Sequence, residues 1–311
     1  MSRPYSTINA QWWDYTTLDR QLLKDAANLT VKNLEQLGRP GFTLHFYDSY
    51  ETFFLAEAME YIKAWEKSTV SEPTGICGPI GPVRQLPMVA QIINNLQIDV
   101  SNGHFWGMDE WYENGREISN NHPLSFNKDD LEMCFNRIDK KLRMPNENIH
   151  LLKADNIDDY SNSFNSIRCL VMQGGQGDTK HWAFNDPIER KGEYKDNPPT
   201  PEEYRKLKTR IVDLHPLTIV QGAKMASGGV IHSIPARAIT VGPVETWKSE
   251  KVSIWHPGYH DNPFGQRLTA LMISEKIADS AVPMSLLSGH PDVHFHYYRG
   301  GIGTCVDYEF Y

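Results

Sequence analysis

The chain has 311 residues, of which 40% are hydrophobic and 23% charged, as is typical of a globular protein with a sizeable core. Its formal charge of −8 and isoelectric point near 5.8 argue against a nucleic acid or an anionic membrane as the partner, because neither offers a counter-charge to an acidic surface. No apolar stretch approaches the ~20 residues of a membrane span, and residues 1–15 lack a signal-peptide pattern, so we expect a cytoplasmic protein.

The cysteines are widely spaced and form no C-x-x-C pair. Three of the four, Cys77, Cys134 and Cys169, lie within apolar runs, whereas Cys305 does not. This usage is typical of reduced, buried thiols in a cytosolic protein.

Residues 1–41 are predicted to form a helical extension that precedes the main domain. Thr16 and Asp19 are suited to cap a helix, and Leu22 and Ala26 follow on one helical face.

From residue 42 onward, strand and helix signals alternate, which favours a mostly parallel sheet with crossover helices. Predicted strands cover residues 42–47, 74–77, 104–108, 149–152, 167–172, 238–241, 252–255 and 293–297. Predicted helices begin after Asp48, cover residues 83–94 and 128–138, and begin again at Thr200 and at Asn262. We therefore predict an α/β fold for residues 42–311: a Rossmann-like, mostly parallel sheet flanked by helices.

The most informative segment is the glycine-rich stretch 173–187, which directly follows a predicted buried strand. Open α/β sheets bind ligands at the carboxyl ends of their strands, so this stretch is predicted to line a site. Gly174, Gly175 and Gly177 allow the backbone to adopt positive φ and to approach a ligand closely. The alternative is a purely structural turn.

Acid and base side chains follow two of the predicted strands. Asp178 and Asp186 flank His181, a set suited to proton transfer, although a surface histidine is the alternative. Strand 104–108 delivers Asp109 and Glu110 to the same edge of the sheet, where they would act in catalysis or only cap the following segment.

Several ordered motifs resemble the glucosamine-6-phosphate deaminases and the related 6-phosphogluconolactonases. The family pattern G-G-x-G-x-D-G-H-x-A-F-N-E-P is matched at Gly174, Gly175, Gly177, His181, Ala183, Phe184, Asn185 and Pro187. Met-Asp-Glu-Trp at 108–111 is similar to the family's Met-Asp-Glu-Tyr, and later landmarks at 239–242 and 287–291 follow in the family's order. The resemblance runs from about residue 42 to the end of the chain.

The resemblance implies a sugar isomerase or deaminase that opens the ring and moves a proton from C2 to C1. His181 would be the ring-opening acid/base, Asp186 its orienting carboxylate and Asp109 the base that takes the C2 proton, with Glu110 and Asp178 nearby. Predicted substrate-binding residues are Gly78, Gly81, Arg84, Gly175, Gly177 and Lys180. We expect no cofactor and no metal.

The sequence also departs from the family pattern. Thr179 replaces an aspartate, Lys180 a glycine and Asp186 a glutamate, and Asp178 is predicted to supply the missing charge. The phosphate-binding turn reads Cys-Gly-Pro-Ile-Gly-Pro at 77–82, in which two prolines withhold amide donors. The family's phosphate-binding arginine and lysine align near Thr218 and Asp261, so the cationic clamp is predicted to be missing.

Two other features have open interpretations. The polar segment 188–199 is predicted to be a mobile lid. The histidines at 256, 260, 294 and 296 would form a metal cluster or, as we favour, polar groups near a site.

The expected partner is a small-molecule carbohydrate, and a homo-oligomer is possible. Three rival functions remain: a sugar lactonase of the 6-phosphogluconolactonase type, a non-catalytic sugar-binding sensor, and a structural or scaffold role. A lactonase would use His181 to activate water and would not need Asp109.

Overall fold

The computed structural model describes residues 3–78, 83–258 and 262–306. The strands are β1 (Phe42–Tyr47), β2 (Thr74–Cys77), β3 (His104–Trp106), β4 (Asp109–Glu113), β5 (Arg116–Glu117), β6 (Ile149–His150), β7 (Arg168–Gly174), β8 (Arg210–Asp213), β9 (Arg237–Thr240), β10 (Lys251–His256) and β11 (Val293–Tyr298). The helices are α1 (Arg20–Ala27), α2 (Val31–Leu34), α3 (Tyr50–Glu66), α4 (Gln85–Leu96), α5 (Phe126–Met133), α6 (Ile157–Ser163), α7 (Pro201–Tyr204), α8 (Pro216–Ala226), α9 (Pro243–Thr246) and α10 (Pro263–Ser274).

Seven strands form one parallel sheet in the order β1-β11-β10-β7-β2-β3-β6. Successive side chains of a strand point to opposite faces, so Phe105 of β3 packs with α3 and α4, whereas Trp106 packs with Phe164, which follows α6. Helices therefore cover both faces of this sheet. The predicted α/β fold is confirmed.

A second sheet of four antiparallel strands, in the order β5-β4-β9-β8, was not predicted. The predicted strand 104–108 is wrong at its end, because β3 stops at Trp106 and Asp109 begins β4. Asp109 pairs with Thr240 of β9 across this second sheet. Asp109 and Glu110 thus belong to a strand. Because both polar residues are buried, this strand lacks the alternation of polar and apolar residues by which a strand is recognised in a sequence.

Several predicted boundaries shift by a few residues. Ser49, not Asp48, caps α3, since its hydroxyl accepts a hydrogen bond from the amide of Thr52 at 3.2 Å. The predicted helix 128–138 is α5 followed by a separate 3-10 turn at Phe135–Arg137.

The N-terminal extension packs against α10. Asp19 caps α1 as predicted, accepting hydrogen bonds from the amides of Gln21 and Leu22. Ala26 is buried in a cluster with Leu268 and Met272.

In the part of the chain that the structure describes, no helix is both long and apolar enough to cross a membrane. Cys77, Cys134 and Cys169 are buried free thiols, as predicted, and Cys305 is a partly buried one.

Candidate active site

A cavity of about 330 Å³ opens at the carboxyl edge of the parallel sheet, where the second sheet meets it. The strand β7 ends there, and its following loop contributes Gly175, Gly177 and His181 to the wall. Asp109 enters from the start of β4, and Thr218 enters from α8. The structure therefore brings Asp109 and His181, predicted from different parts of the sequence, into one cavity.

The glycine-rich loop has its positive φ angles on residues other than its glycines. Positive φ angles fall on Lys180 (63°) and Ala183 (48°), and not on Gly174, Gly175 or Gly177. Glycine permits such angles but does not require them, and these three glycines do not use that freedom. Gly177 is needed for space, since a Cβ there would overlap the imidazole of His181.

The loop is fixed to the rest of the protein through Asn185. Its amide nitrogen donates to the carbonyl groups of Trp182 (3.2 Å) and Val241 (3.0 Å), and its Oδ1 accepts from Arg210 at 3.0 Å. The indole of Trp182 donates to the hydroxyl of Thr246 at 3.0 Å. These bonds hold the loop against β9 and α9, so the imidazole is carried on a rigid support.

His181 and Asp186 form a buried pair in which Nδ1 lies 2.6 Å from Oδ1. Asp186 also accepts hydrogen bonds from the hydroxyls of Thr179 and Thr218, both at 2.7 Å, and from the amide of His215 at 2.9 Å. Burial alone would raise the pKa of Asp186, but the charge of His181 and these bonds outweigh it and leave the pKa below its ordinary value. Asp186 can thus remain a carboxylate that orients the imidazole.

Asp109 is 2% exposed, and its Oδ1 accepts a hydrogen bond from the amide of Phe184 at 3.2 Å. Burial raises the pKa of Asp109 to about 7, although hydrogen bonds from Thr240 and Phe184 and the charge of His181 act in the opposite direction. A carboxyl group with such a pKa exchanges protons readily near neutral pH.

Glu110 points away from the cavity and holds the start of α5. Its carboxylate accepts hydrogen bonds from the hydroxyl of Ser125 (2.7 Å) and from the amides of Asn127 (2.9 Å) and Trp111 (2.8 Å). Burial raises its pKa, and the same hydrogen bonds limit the rise. These contacts correspond to the capping alternative for Glu110.

Asp178 lies outside the cavity wall. Its carboxylate is 3.8 Å from the ammonium group of Lys224, and its amide donates to the side chain of Gln221 at 2.7 Å. Asp178 is not among the residues that bond to Asp186 or shift its pKa most. Thr179 stands where the family pattern has an aspartate, and its hydroxyl donates a hydrogen bond to Asp186.

Lys180 and Gly78, two of the predicted substrate-binding residues, make contacts outside the cavity. The ammonium of Lys180 is buried 3.9 Å from the ring of Tyr15, and burial lowers its pKa to about 8. The amide of Gly78 donates to the carbonyl of Trp106 at 3.0 Å. Neither group lines the cavity.

Arg84 is exposed, with its guanidinium 5.9 Å from the rings of Tyr50 and Phe54, and it is not among the residues that line the cavity. Gly81 and Asp261 lie outside the described residues.

The outer wall of the cavity comes from α8, which was not predicted. Thr218, Gln221, Gly222 and Met225 share one face of this helix and line the cavity. Their i, i+3, i+4, i+7 spacing is the sequence signal that could have revealed the helix.

The segment 188–199, predicted to be a lid, lies against the N-terminal extension. Trp13 donates its amide to the carbonyl of Ile188 at 3.0 Å and its indole to that of Tyr194 at 2.8 Å. The guanidinium of Arg190 packs on the rings of Tyr5 (4.0 Å) and Trp13 (4.1 Å). None of these residues lines the cavity.

The histidine group is composed differently from the predicted set. His45, His294 and His296 each offer a ring nitrogen within 4.8 Å of the others, whereas His256 stacks on Tyr297. His260 lies outside the described residues. The Nε2 of His45 lies 2.9 Å from Nδ1 of His294, and the ring of His45 stacks on that of His296, so in this structure two of the three histidines share a hydrogen bond. That no metal is needed stays a prediction.

Searches with protein-family models and against curated proteins find no match. The solved structure of a monomeric glucosamine-6-phosphate deaminase of the NagB superfamily is similar, with a TM-score of 0.64 and 16% identity over 83% of this chain and 98% of that one. The 6-phosphogluconolactonases of Thermotoga maritima and Leishmania guyanensis give TM-scores of 0.53 and 0.56 at 13% identity, covering 82% and 85% of this chain and 98% and 99% of theirs.

At these identities the similarity is one of fold, and it agrees with the order of the motifs in the sequence. The chain has the fold shared by the glucosamine-6-phosphate deaminases and the 6-phosphogluconolactonases.

Proposed function

We propose that the protein is an enzyme that opens a sugar ring and transfers a proton from C2 to C1. The observation that carries this proposal is the presence of Asp109 and His181 on one cavity, where burial raises the pKa of Asp109 to about 7. A carboxylate that removes a proton from carbon works best when its pKa lies near the working pH. It then accepts a proton readily, and a sizeable fraction of it is still ionised near neutral pH.

Ring opening is assigned to His181. Its Nδ1 is bonded to Asp186, so Nε2, on the side of Gly177, is the nitrogen left to exchange a proton with the sugar. The imidazole takes the proton of the C1 hydroxyl and returns a proton to the ring oxygen as the bond between C1 and that oxygen breaks. Asp186 holds the ring orientation and stabilises the imidazolium that forms between these steps.

Proton transfer is assigned to Asp109. Its carboxylate removes the proton from C2, the electron pair forms a C1–C2 double bond, and the C1 oxygen gains a proton from the C2 substituent. Asp109 then returns its proton to C1 as the double bond moves to the C2 substituent. With a hydroxyl at C2 the product is a ketose. With an amino group the product is an imine, which water hydrolyses to a ketose and ammonia.

The proposal is tested by hydrogen exchange. The protein is incubated in heavy water with glucose, mannose, fructose, glucosamine and their 6-phosphates, and proton NMR follows the signals of C1 and C2. We expect deuterium at one of these carbons, no label with Asp109→Asn, and unchanged labelling with the matched control Asp213→Asn, an exposed carboxylate. His181→Asn and Asp186→Asn should slow labelling by about 10- to 1000-fold.

Absence of labelling from every sugar would contradict the proposal. The lactonase alternative makes the opposite prediction for Asp109, since hydrolysis of an aldonolactone would survive Asp109→Asn and be lost with His181→Asn. A sugar sensor would bind a sugar and show neither reaction.

A further inference from the structure

The charge of the cavity wall is unlike that of a phosphosugar site. Two carboxyl groups, Asp109 and Asp129, line it, and no lysine or arginine does among the residues that the structure describes. The undescribed segments 1–2, 79–82, 259–261 and 307–311 contain no lysine or arginine either. A phosphate dianion in this cavity would therefore face carboxyl groups without a lysine or arginine partner.

Three cationic or titratable side chains that belong to the glycine-rich loop or contact it make other interactions. Arg210 donates to the side chain of Asn185 and to the carbonyl of Lys208. The ammonium of Lys180 lies on the ring of Tyr15 and donates to the carbonyl of Asp178. The imidazole of His181 is already paired with Asp186. Arg210 and Lys180 do not line the cavity, and the charge of an imidazolium at His181 would be balanced by Asp186.

Asp129 is the second carboxyl group of the cavity and lies in the first turn of α5. Burial raises its pKa, partly offset by the charge of Lys128, and no hydrogen bond to its carboxylate is found within the described ranges. Lys128 is itself 4.0 Å from Glu132, one turn further along the helix. The carboxylate of Asp129 is thus available to a ligand.

Three aromatic rings form a continuous wall of the same cavity. Trp111 stacks with Phe126 at 5.4 Å and contacts Phe184 at 5.0 Å between ring centroids. Such a wall packs against the C–H face of a sugar, and its π faces also favour a nearby ammonium group. A phosphate group gains nothing from it.

We infer that the substrate is a sugar that carries a free amino group and no phosphate, and that Asp129 is the residue that binds its ammonium group. This inference rests on the proposed function. It assigns Asp129 to specificity, while Asp109 and His181 perform the reaction. The continuous aromatic wall and the acidic lining together favour a cationic sugar over a neutral one and disfavour a dianionic one.

Binding by calorimetry tests the inference below neutral pH, where the amine is protonated. The probes are glucosamine, glucosamine 6-phosphate, N-acetylglucosamine and glucose. We expect glucosamine to bind at least about 10-fold more tightly than the other three, because one charge-assisted hydrogen bond is worth about that factor or more. Tighter binding of glucosamine 6-phosphate than of glucosamine would overturn the inference.

The role of Asp129 is tested with a matched pair of variants on α5. Asp129→Asn should weaken glucosamine binding by about 10- to 100-fold and leave glucose binding within about 3-fold. Glu132→Gln removes an equal charge from an exposed position on the same helix and should leave both affinities unchanged. Equal effects of Asp129→Asn on glucosamine and glucose would refute a role in reading the amino group.

Failure of the proposed reaction is distinguishable from failure of this inference. If the cavity only binds sugars, glucosamine will bind with the expected dependence on Asp129 and acquire no deuterium from heavy water. If the reaction is right and the substrate class is wrong, deuterium will enter another sugar, and Asp129→Asn will not change its affinity.

Discussion

Replacing Asp109 with asparagine should make the stability of the folded protein less dependent on pH, although it removes the proposed carbon base. Burial raises the pKa of Asp109 from its ordinary 3.8 to about 7, so the unfolded chain ionises this group at a lower pH than the folded protein does. The stability contributed by the neutral carboxyl group is therefore fully present below about pH 4 and is lost as the pH rises through about 7.

The size of the effect follows from the two pKa values. Each pH unit between them changes the free energy of unfolding by about 1.4 kcal/mol. The whole displacement from 3.8 to about 7 corresponds to about 4 kcal/mol, and about 2 to 3 kcal/mol of it falls between about pH 5 and about pH 8. The asparagine side chain of the variant has no proton to lose, so it contributes nothing to this slope.

The assay is urea unfolding of the parent, Asp109→Asn and the exposed control Asp213→Asn at several pH values in that interval. The advantage of Asp109→Asn over the parent should grow by about 2 to 3 kcal/mol from about pH 5 to about pH 8, whereas Asp213→Asn should follow the parent. If the free energy of unfolding of all three proteins changed with pH in the same way, Asp109 would be ionised over the whole interval. That result would remove the pKa argument for Asp109 as a base.

Gly177→Ala should lower turnover by about 100-fold or more, because the added Cβ would displace the imidazole of His181, the proposed ring-opening group. Gly38→Ala, whose Cβ would meet its nearest atom at 3.6 Å, should leave turnover unchanged, and equal turnover in both variants would refute the packing argument. Glu110→Gln should lower the free energy of unfolding by about 1 to 3 kcal/mol in urea, since the new amide nitrogen would face the hydroxyl of Ser125 or the amide of Asn127, which both donate. It should reduce turnover far less than Asp109→Asn does. Trp13→Ala should expose the segment 188–199 to trypsin, and a digestion pattern like that of the parent would show that the extension does not hold it.

The parallel sheet could be predicted from the sequence because each of its strands can be recognised from a short stretch of residues. β2, β7 and β10 are short apolar runs bounded by polar or glycine residues, and a strand buried on both faces reads in that way. Asp109 and His181 could be predicted as site residues from the motifs that contain them, and the structure places both on one cavity.

The second sheet and α8 could not be predicted in the same way. β4 begins with two acids whose burial depends on partners far away in sequence, Thr240 for Asp109 and Ser125 for Glu110. Likewise, the support of Asp186 by Thr218 and by the amide of His215 joins residues about 30 positions apart. Such contacts follow from the tertiary fold, and a local pattern does not contain them.

The docking of the N-terminal extension has a consequence for the order of folding during synthesis. Arg3 pairs with Asp279 at 2.9 Å, Trp13 is bonded to the carbonyl of Tyr194, and Leu29 accepts a hydrogen bond from Arg267. Residues 3–29 therefore cannot dock until their partners between residues 194 and 279 have been synthesised. Until then the indoles of Trp12 and Trp13 remain unpacked, and the ring of Tyr15 does not yet cover Lys180 of the glycine-rich loop.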